Sequence, residues 1–293
     1  MSPAVRIWHR LRIILEMIKF EHTVFALPFA LIGMLLAADG WPSGRVVGWI
    51  LVAMVGARSS AMAFNRLVDR EIDRRNPRTA GRALPAGLLT PTQVWLFVAA
   101  TTALFLLAAA QLNRLALALA PVALAIIWGY SFTKRFTTLS HLILGFALGI
   151  APSAAWIAVR GSLALPPLLL TAAVMGWVGG FDIIYSLQDE AFDRRHRLRS
   201  LPAHLGAARA LLLSRLLHLG TIGILLWLPQ WITLGGWYTL GVGVTAALLA
   251  YEHALVKPDD LSRVNAAFFT VNGFISIGLL CFTALDLAAR GRF

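Results

Sequence analysis

The chain has 293 residues, of which 58% are hydrophobic and 14% charged, and its mean hydropathy is +0.73. A soluble domain carries roughly 25% charged residues, so this composition excludes a water-solvated fold and makes the chain an integral membrane protein. The single Cys281 excludes a disulfide framework and a cysteine-built metal site, and the formal net charge of +12 sits between apolar runs rather than along one soluble face, which excludes nucleic acid as the partner.

A helix that crosses a hydrocarbon core of roughly 30 Å needs roughly 20 mostly apolar residues. Nine runs meet that requirement: 23–39, 46–64, 93–111, 115–132, 139–158, 165–186, 208–228, 231–251 and 265–286. The expected fold is therefore all-α, a polytopic membrane protein with about nine transmembrane helices and one membrane-embedded domain over 1–293. Trp41-Pro42, Thr90-Pro91, Pro166-Pro167 and Lys257-Pro258 punctuate the spans. The N-terminal Arg6, Arg10, Arg12 and Lys19 before an apolar run resemble a signal peptide, but the run is too long and lacks a small-residue cleavage site, so it reads as a retained first helix.

Basic residues sort by side. The N-terminal tail and the loops after spans 2, 4, 6 and 8 hold most of the 26 lysines and arginines, while the other side has Arg45, Arg114, Arg160, Arg290 and Arg292. The positive-inside rule puts the N-terminus and the even-numbered loops in the cytoplasm.

Half of the fourteen acids fall in two short stretches, and these lie at the cytoplasmic ends of spans. The first contains Asn65, Asp69 and Asp73 at four-residue steps; if the second helix continues through it, they share one face. Such a column is either a set of solvated ion pairs with the neighbouring arginines or a column of oxygen ligands for Mg²⁺, which takes one or two carboxylates together with substrate phosphates. The second stretch has Asp182, Tyr185, Asp189 and Asp193 at 3-4-4 spacing, with Asp182 deepest. Intramembrane acids mark functional sites by default, and a second column on the same side favours the ligand reading: two carboxylate walls facing each other form a diphosphate site. Asp69 and Asp189 are 120 residues apart, which divides the chain into two four-helix halves plus a ninth helix.

Arg58, two turns before Asn65, faces the same region and needs an anion, either a bound carboxylate or phosphate or an internal partner such as Asp182 or Asp193. Lys134 and Arg135 close the fourth span on this side and serve either diphosphate or lipid headgroups. The seven histidines form no ligand set; His22, His141, His196 and His204 read as surface or capping residues, and neither Glu21 nor His22 is assigned a role.

Asn65-Arg66-x-x-Asp69-x-x-x-Asp73, the following Arg78-Thr79-Ala80-Gly81-Arg82-Ala83-Leu84-Pro85-Ala86-Gly87, Tyr130-x-x-x-Lys134-Arg135 and Asp182-x-x-Tyr185-x-x-x-Asp189-x-x-x-Asp193 together resemble the aspartate motifs and loops of the UbiA-type membrane prenyltransferases. The resemblance covers essentially the whole chain. Lys19-Phe20-Glu21-His22-Thr23-Val24-Phe25-Ala26-Leu27-Pro28-Phe29 and the segment from Gly56 to Arg66 are similar to the 4-hydroxybenzoate polyprenyltransferase branch, some members of which are assigned to menaquinone synthesis. Many members have Asn-Asp where this chain has Asn65-Arg66, which leaves Asp69 and Asp73 as the carboxylate pair.

The resemblance implies a helical bundle around a central cavity in the cytoplasmic (inner) membrane of a bacterium. It also implies Mg²⁺-dependent transfer of a polyprenyl group from polyprenyl diphosphate to an aromatic acid acceptor, 4-hydroxybenzoate first and a dihydroxynaphthoate second, in quinone synthesis. Two Mg²⁺ ions would be held by Asp69, Asp73, Asp189 and Asp193 with Asn65, and phosphate oxygens by Lys134, Arg78 and Arg82. Arg58 would pair with the acceptor carboxylate, and Asp182 or Tyr185 would orient the phenol and accept the proton lost from the ring. A cation-coupled transporter is the reading from another class, since intramembrane acids and repeats also occur there; the carboxylates at the cytoplasmic ends, flanked by cations, favour the enzyme.

Overall fold

The computed structural model describes residue 8, residues 12–18 and residues 23–293. Arg6, Arg10, Lys19, Glu21 and His22 lie outside the described residues. Among the described residues, nine long helices occupy the nine predicted runs: α1 Thr23–Ala38, α2 Gly44–Val68, α3 Pro91–Leu112, α4 Arg114–Gly129, α5 Ser140–Arg160, α6 Leu165–Ser186, α7 Ala207–Trp227, α8 Gly236–Leu255 and α9 Asn272–Ala289. With their short extensions, seven of them, α2 to α7 and α9, are long and apolar enough to cross a membrane, and α1 is a shorter apolar helix.

Local chemistry sets the boundaries. At α3, Thr90 and Gln93 form a reciprocal capping box ahead of Pro91. Asn113 caps α4 through Ala116 and spends its amide on the Ile157 and Ala158 carbonyls of α5, joining two helices at one turn. Gly161 ends α5 in the left-handed region at φ 67°. The eighth helix starts and ends later than its run of 231–251, because Leu228–Gln230 form a separate 3-10 turn and Gly235 is held by Asp286, whose carboxylate accepts its backbone N–H at 2.9 and 3.0 Å.

Lipid offers helices no hydrophobic reward for associating, so close backbone packing has to hold them together. Gly145 and Gly149 of α5 lie against the backbone of α6: a Cβ at Gly145 would overlap the Met175 carbonyl oxygen, and one at Gly149 would come within 2.7 Å of the Thr171 oxygen. Gly56 does the same for α2, where a Cβ would lie 2.9 Å from the Phe105 nitrogen of α3. The largest buried cluster runs through α1, α6, α8 and α9 and includes Phe25, Phe29, Trp177, Phe181 and Phe268. Arginines and acids at the α1–α2 end, such as Arg292 with Asp39, close the side opposite the aspartate columns.

Candidate active site

The predicted columns form, with a break in each. Helix α2 ends at Val68, Asp69 takes φ −91° and ψ 5°, and a short helix resumes over Arg70–Arg75. The register survives, since the Asp69 N–H donates to the Asn65 carbonyl at 2.9 Å and the Asp73 N–H to the Asp69 carbonyl at 2.8 Å. Likewise α6 passes through a 3-10 turn at Leu187–Asp189 into a helix over Glu190–Arg195. Both short helices have acids in the first turn and two arginines in the last, which suits the helix dipole.

Cations meet these carboxylates across the chain. Asp69 accepts from the Asn65 amide at 2.9 Å and from Arg135 at 3.1 Å. Asp73, nearly buried, accepts two bonds from Arg82 Nη1 at 2.7 and 2.9 Å. Arg78 grips Asp189 with two nitrogens, Nε at 2.9 Å and Nη2 at 2.5 Å, and reaches the Tyr185 hydroxyl with Nη1 at 3.2 Å; Asn76 adds a bond to Asp189 at 3.0 Å. The loop after the first column thus ties directly to the second. Asp193 is buried and its Oδ2 has no hydrogen-bond partner. Lys134 lies within the electrostatic reach of Asp193, Asp182, Asp189 and Asp69 together.

Burial pushes the Asp69 carboxyl above its ordinary value, against the opposite pull of Arg135. For Arg78, burial alone would lower the guanidinium, but the hydrogen bonds and charge of Asp189 outweigh it and hold the group above its ordinary value. Arg78 therefore remains a cation within the site.

Several residues escaped the sequence reading. His141 is fully buried and bonded to Asp182, Nδ1 to Oδ2 at 2.6 Å, which corrects its assignment as a surface or capping residue; its partner is 41 positions away on another helix. Asn76 is a further carboxylate partner that no spacing revealed, and Arg135, expected to serve diphosphate or lipid headgroups, bonds to Asp69. Arg66 is buried: it donates to the Met17 carbonyl and the Asn65 amide oxygen at 3.3 Å and lies 4.0 Å from Asp73. His196 and His204 are exposed, as expected. The Tyr130 hydroxyl interacts electrostatically with Arg66, Asp69, Asp182 and, most weakly, Arg58.

A cavity of about 440 Å³ opens beside the cluster, lined by Arg66, Arg78 and Arg82 from one side and by Tyr185, Gln188 and Asn265 from the other, with Ile13 and Met17 as apolar wall. The Tyr185 ring packs on Phe268 at 4.1 Å between centroids, and Phe268 continues to Phe25 and Phe181. Among the described residues no three His, Cys, Asp or Glu side chains converge as a self-sufficient metal site. The donor set instead consists of carboxylate pairs and an amide oxygen, hard ligands that fit Mg²⁺ when phosphate oxygens and water complete its shell.

A profile of the UbiA prenyltransferase family matches residues 26–277. The 4-hydroxybenzoate octaprenyltransferase of Ralstonia nicotianae is 31% identical over 88% of each chain, and that of Nitrosomonas europaea is 31% identical over 87% of this chain and 86% of the relative. An apo UbiA homolog from Aeropyrum pernix K1 superposes with a TM-score of 0.83 at 36% identity, covering 91% of this chain and 98% of the other. A UbiA homolog from Archaeoglobus fulgidus bound to GPP and Mg²⁺ has the same fold, with a TM-score of 0.71 at 19% identity over 94% and 99% of the two chains.

Proposed function

Because the chain belongs to the UbiA prenyltransferase family and is an aromatic prenyltransferase by its relatives, we propose that it transfers a polyprenyl group from polyprenyl diphosphate to the ring of 4-hydroxybenzoate at the cluster between the two aspartate columns. The observation that carries this reading is the Arg78 bridge, which draws a basic loop and both carboxylate columns around one space. The transporter reading has no such support from the family.

The residues divide the work. The C–O bond to diphosphate breaks with its electron pair leaving on oxygen, so the leaving group gains charge that must be met in a water-poor site. Arg78, Arg82 and Lys134 are the cations for its non-bridging oxygens; Arg78 and Arg82 exchange Asp189 and Asp73 for phosphate, at little net cost in charge-assisted bonds. Asp69, Asp73, Asp189 and Asp193, with Asn65, would hold Mg²⁺, two ions in the proposed arrangement. Bound Mg²⁺ supplies Lewis-acid neutralisation of the leaving group. The aromatic wall of Tyr185 and Phe268 excludes water from the allylic cation and offers it ring faces. A C–C bond then forms to the acceptor ring and a ring proton leaves to Asp182, while Arg58 pairs with the acceptor carboxylate. In this reading the protein lies in a bacterial inner membrane, and the loop charges favour the cytoplasmic side for this end of the bundle.

The test is transfer of labelled geranyl diphosphate by the purified chain in nanodiscs, with 4-hydroxybenzoate or 1,4-dihydroxy-2-naphthoate as acceptor and with Mg²⁺ or EDTA. Mg²⁺-dependent labelling of 4-hydroxybenzoate is the expected result. Labelling of the naphthoate alone moves the acceptor to the menaquinone branch, and labelling of neither overturns the acceptor class.

A further inference from the structure

Asp182 is held by a residue outside both aspartate columns. His141 occupies the first turn of α5, with its ring fully buried, and its Nδ1 lies 2.6 Å from Asp182 Oδ2. Its Nε2 lies 3.3 Å from the backbone nitrogen of Leu201. A backbone N–H can only donate, so Nε2 accepts, and the one proton of a neutral imidazole is on Nδ1, directed at the carboxylate. A second proton on Nε2 would set two donors against each other in a buried space.

The Leu201 segment is itself fixed. The Arg199 N–H donates to the Lys134 carbonyl at 2.8 Å and the Arg199 guanidinium to the Phe136 carbonyl at 2.8 Å. The Ser200 hydroxyl caps the short helix Leu201–Leu205. A continuous set of contacts therefore runs from the Lys134 turn through Arg199 and Leu201 to His141 and Asp182.

Resting on the prenyl-transfer reading above, we propose that His141 is the positioning residue of Asp182. Its Nδ1–H fixes the carboxylate rotamer through Oδ2, which leaves Oδ1 to take the ring proton. Both imidazole nitrogens are committed, so His141 does not relay that proton; it leaves Asp182 toward the site. The Lys134 turn, which faces the diphosphate, and the base that faces the acceptor are held in one register by this connection.

The experiment compares His141→Leu, His141→Asn and His141→Gln in the full chain in nanodiscs. The Asn amide nitrogen reproduces the Nδ1 donor, whereas the Gln amide nitrogen falls at the Nε2 position. Leu and Gln are expected to lower kcat roughly 10- to 100-fold, part of the ~10²–10⁴ that a positioned base supplies, with KM for geranyl diphosphate unchanged, and Asn is expected to recover most of the loss. Should the Leu protein fail to fold, Gln against Asn makes the same comparison. Equal activity in all three, equal loss in Asn and Gln, or a parallel rise in KM overturns the positioning role and leaves a structural one. A wild-type chain that binds geranyl diphosphate with Mg²⁺ yet labels no acceptor overturns the acceptor chemistry itself, which is a different failure from an active wild type indifferent to His141.

Discussion

The short helical arm after α2 reads Asp69-Arg70-Glu71-Ile72-Asp73-Arg74-Arg75, and the one after α6 reads Asp189-Glu190-Ala191-Phe192-Asp193-Arg194-Arg195. Each follows a break at its leading aspartate, with nearly the same backbone angles, φ −91° and ψ 5° against φ −101° and ψ 1°. Their surroundings differ. Among the described residues, every cation hydrogen-bonded to one of the four arm aspartates comes from the first half of the chain: Arg135, Arg82 and Arg78. The second half adds the deeper Asp182, at a position where the first half has Met62 by the same 120-residue offset, and Tyr185 where the first has Asn65. Like arms in unlike settings suit the proposed reaction, in which ligation is shared while the loop cations for phosphate come from the first half and the proton acceptor, Asp182, from the second.

The shared part should fail symmetrically. Asp69→Asn and Asp189→Asn remove one carboxylate from either arm, and each is expected to reduce transfer on the order of 10³-fold, since a lost ligand also leaves leaving-group charge unmet. Steady-state labelling across a Mg²⁺ titration checks this. If excess Mg²⁺ restores one variant and not the other, the arms are not equivalent and the comparison breaks at its base.

The unshared part should fail on one side only. Asp182→Asn keeps the shape but loses the base, and kcat is expected to drop about 10²-fold with Mg²⁺-dependent geranyl diphosphate binding retained; Met62→Leu, at the corresponding position of α2, should leave both unchanged. Arg78→Ala is expected to raise KM for the prenyl diphosphate about tenfold, the value of roughly 1.4 kcal/mol, because a bidentate guanidinium is lost from the phosphate side. Leu198, 120 residues on, supplies no charge, so Leu198→Ala is the matching control.

This division explains what the sequence reveals and what it conceals. Apolar run length and four-residue spacing are properties of one helix, so the nine long helices and the two aspartate columns can be read directly, with errors only where a turn intervenes, as before Gly236. Partners from different helices leave no such mark. Asn76 and Asp189 are separated by 113 positions, Arg135 and Asp69 by 66, and His141 and Asp182 by 41, and no periodicity links them. The family resemblance brings in the arm aspartates and the loop arginines because those lie within motifs; His141 lies in none, and an isolated histidine at a helix start has the same appearance whether it caps the helix or holds a carboxylate.

The end of the bundle away from the arms gives the smallest expected effect on activity and the sharpest control. There Asp286 of α9 accepts the Gly235 and Tyr238 backbone N–H groups and pairs with Arg290 at 3.2 Å, almost fully buried. Asp286→Ala strands those donors, a loss of about 1–3 kcal/mol for each buried group left unsatisfied. The apparent Tm should fall by several degrees, at roughly 2–4 °C per kcal/mol for a chain somewhat smaller than this one. Yet Asp286 stabilises only the start of α8 and the end of α9, and no side chain of the cluster depends on it directly. Transfer measured well below the transition should therefore remain at the wild-type level, and a loss of kcat there would mean that the two ends of the bundle are coupled.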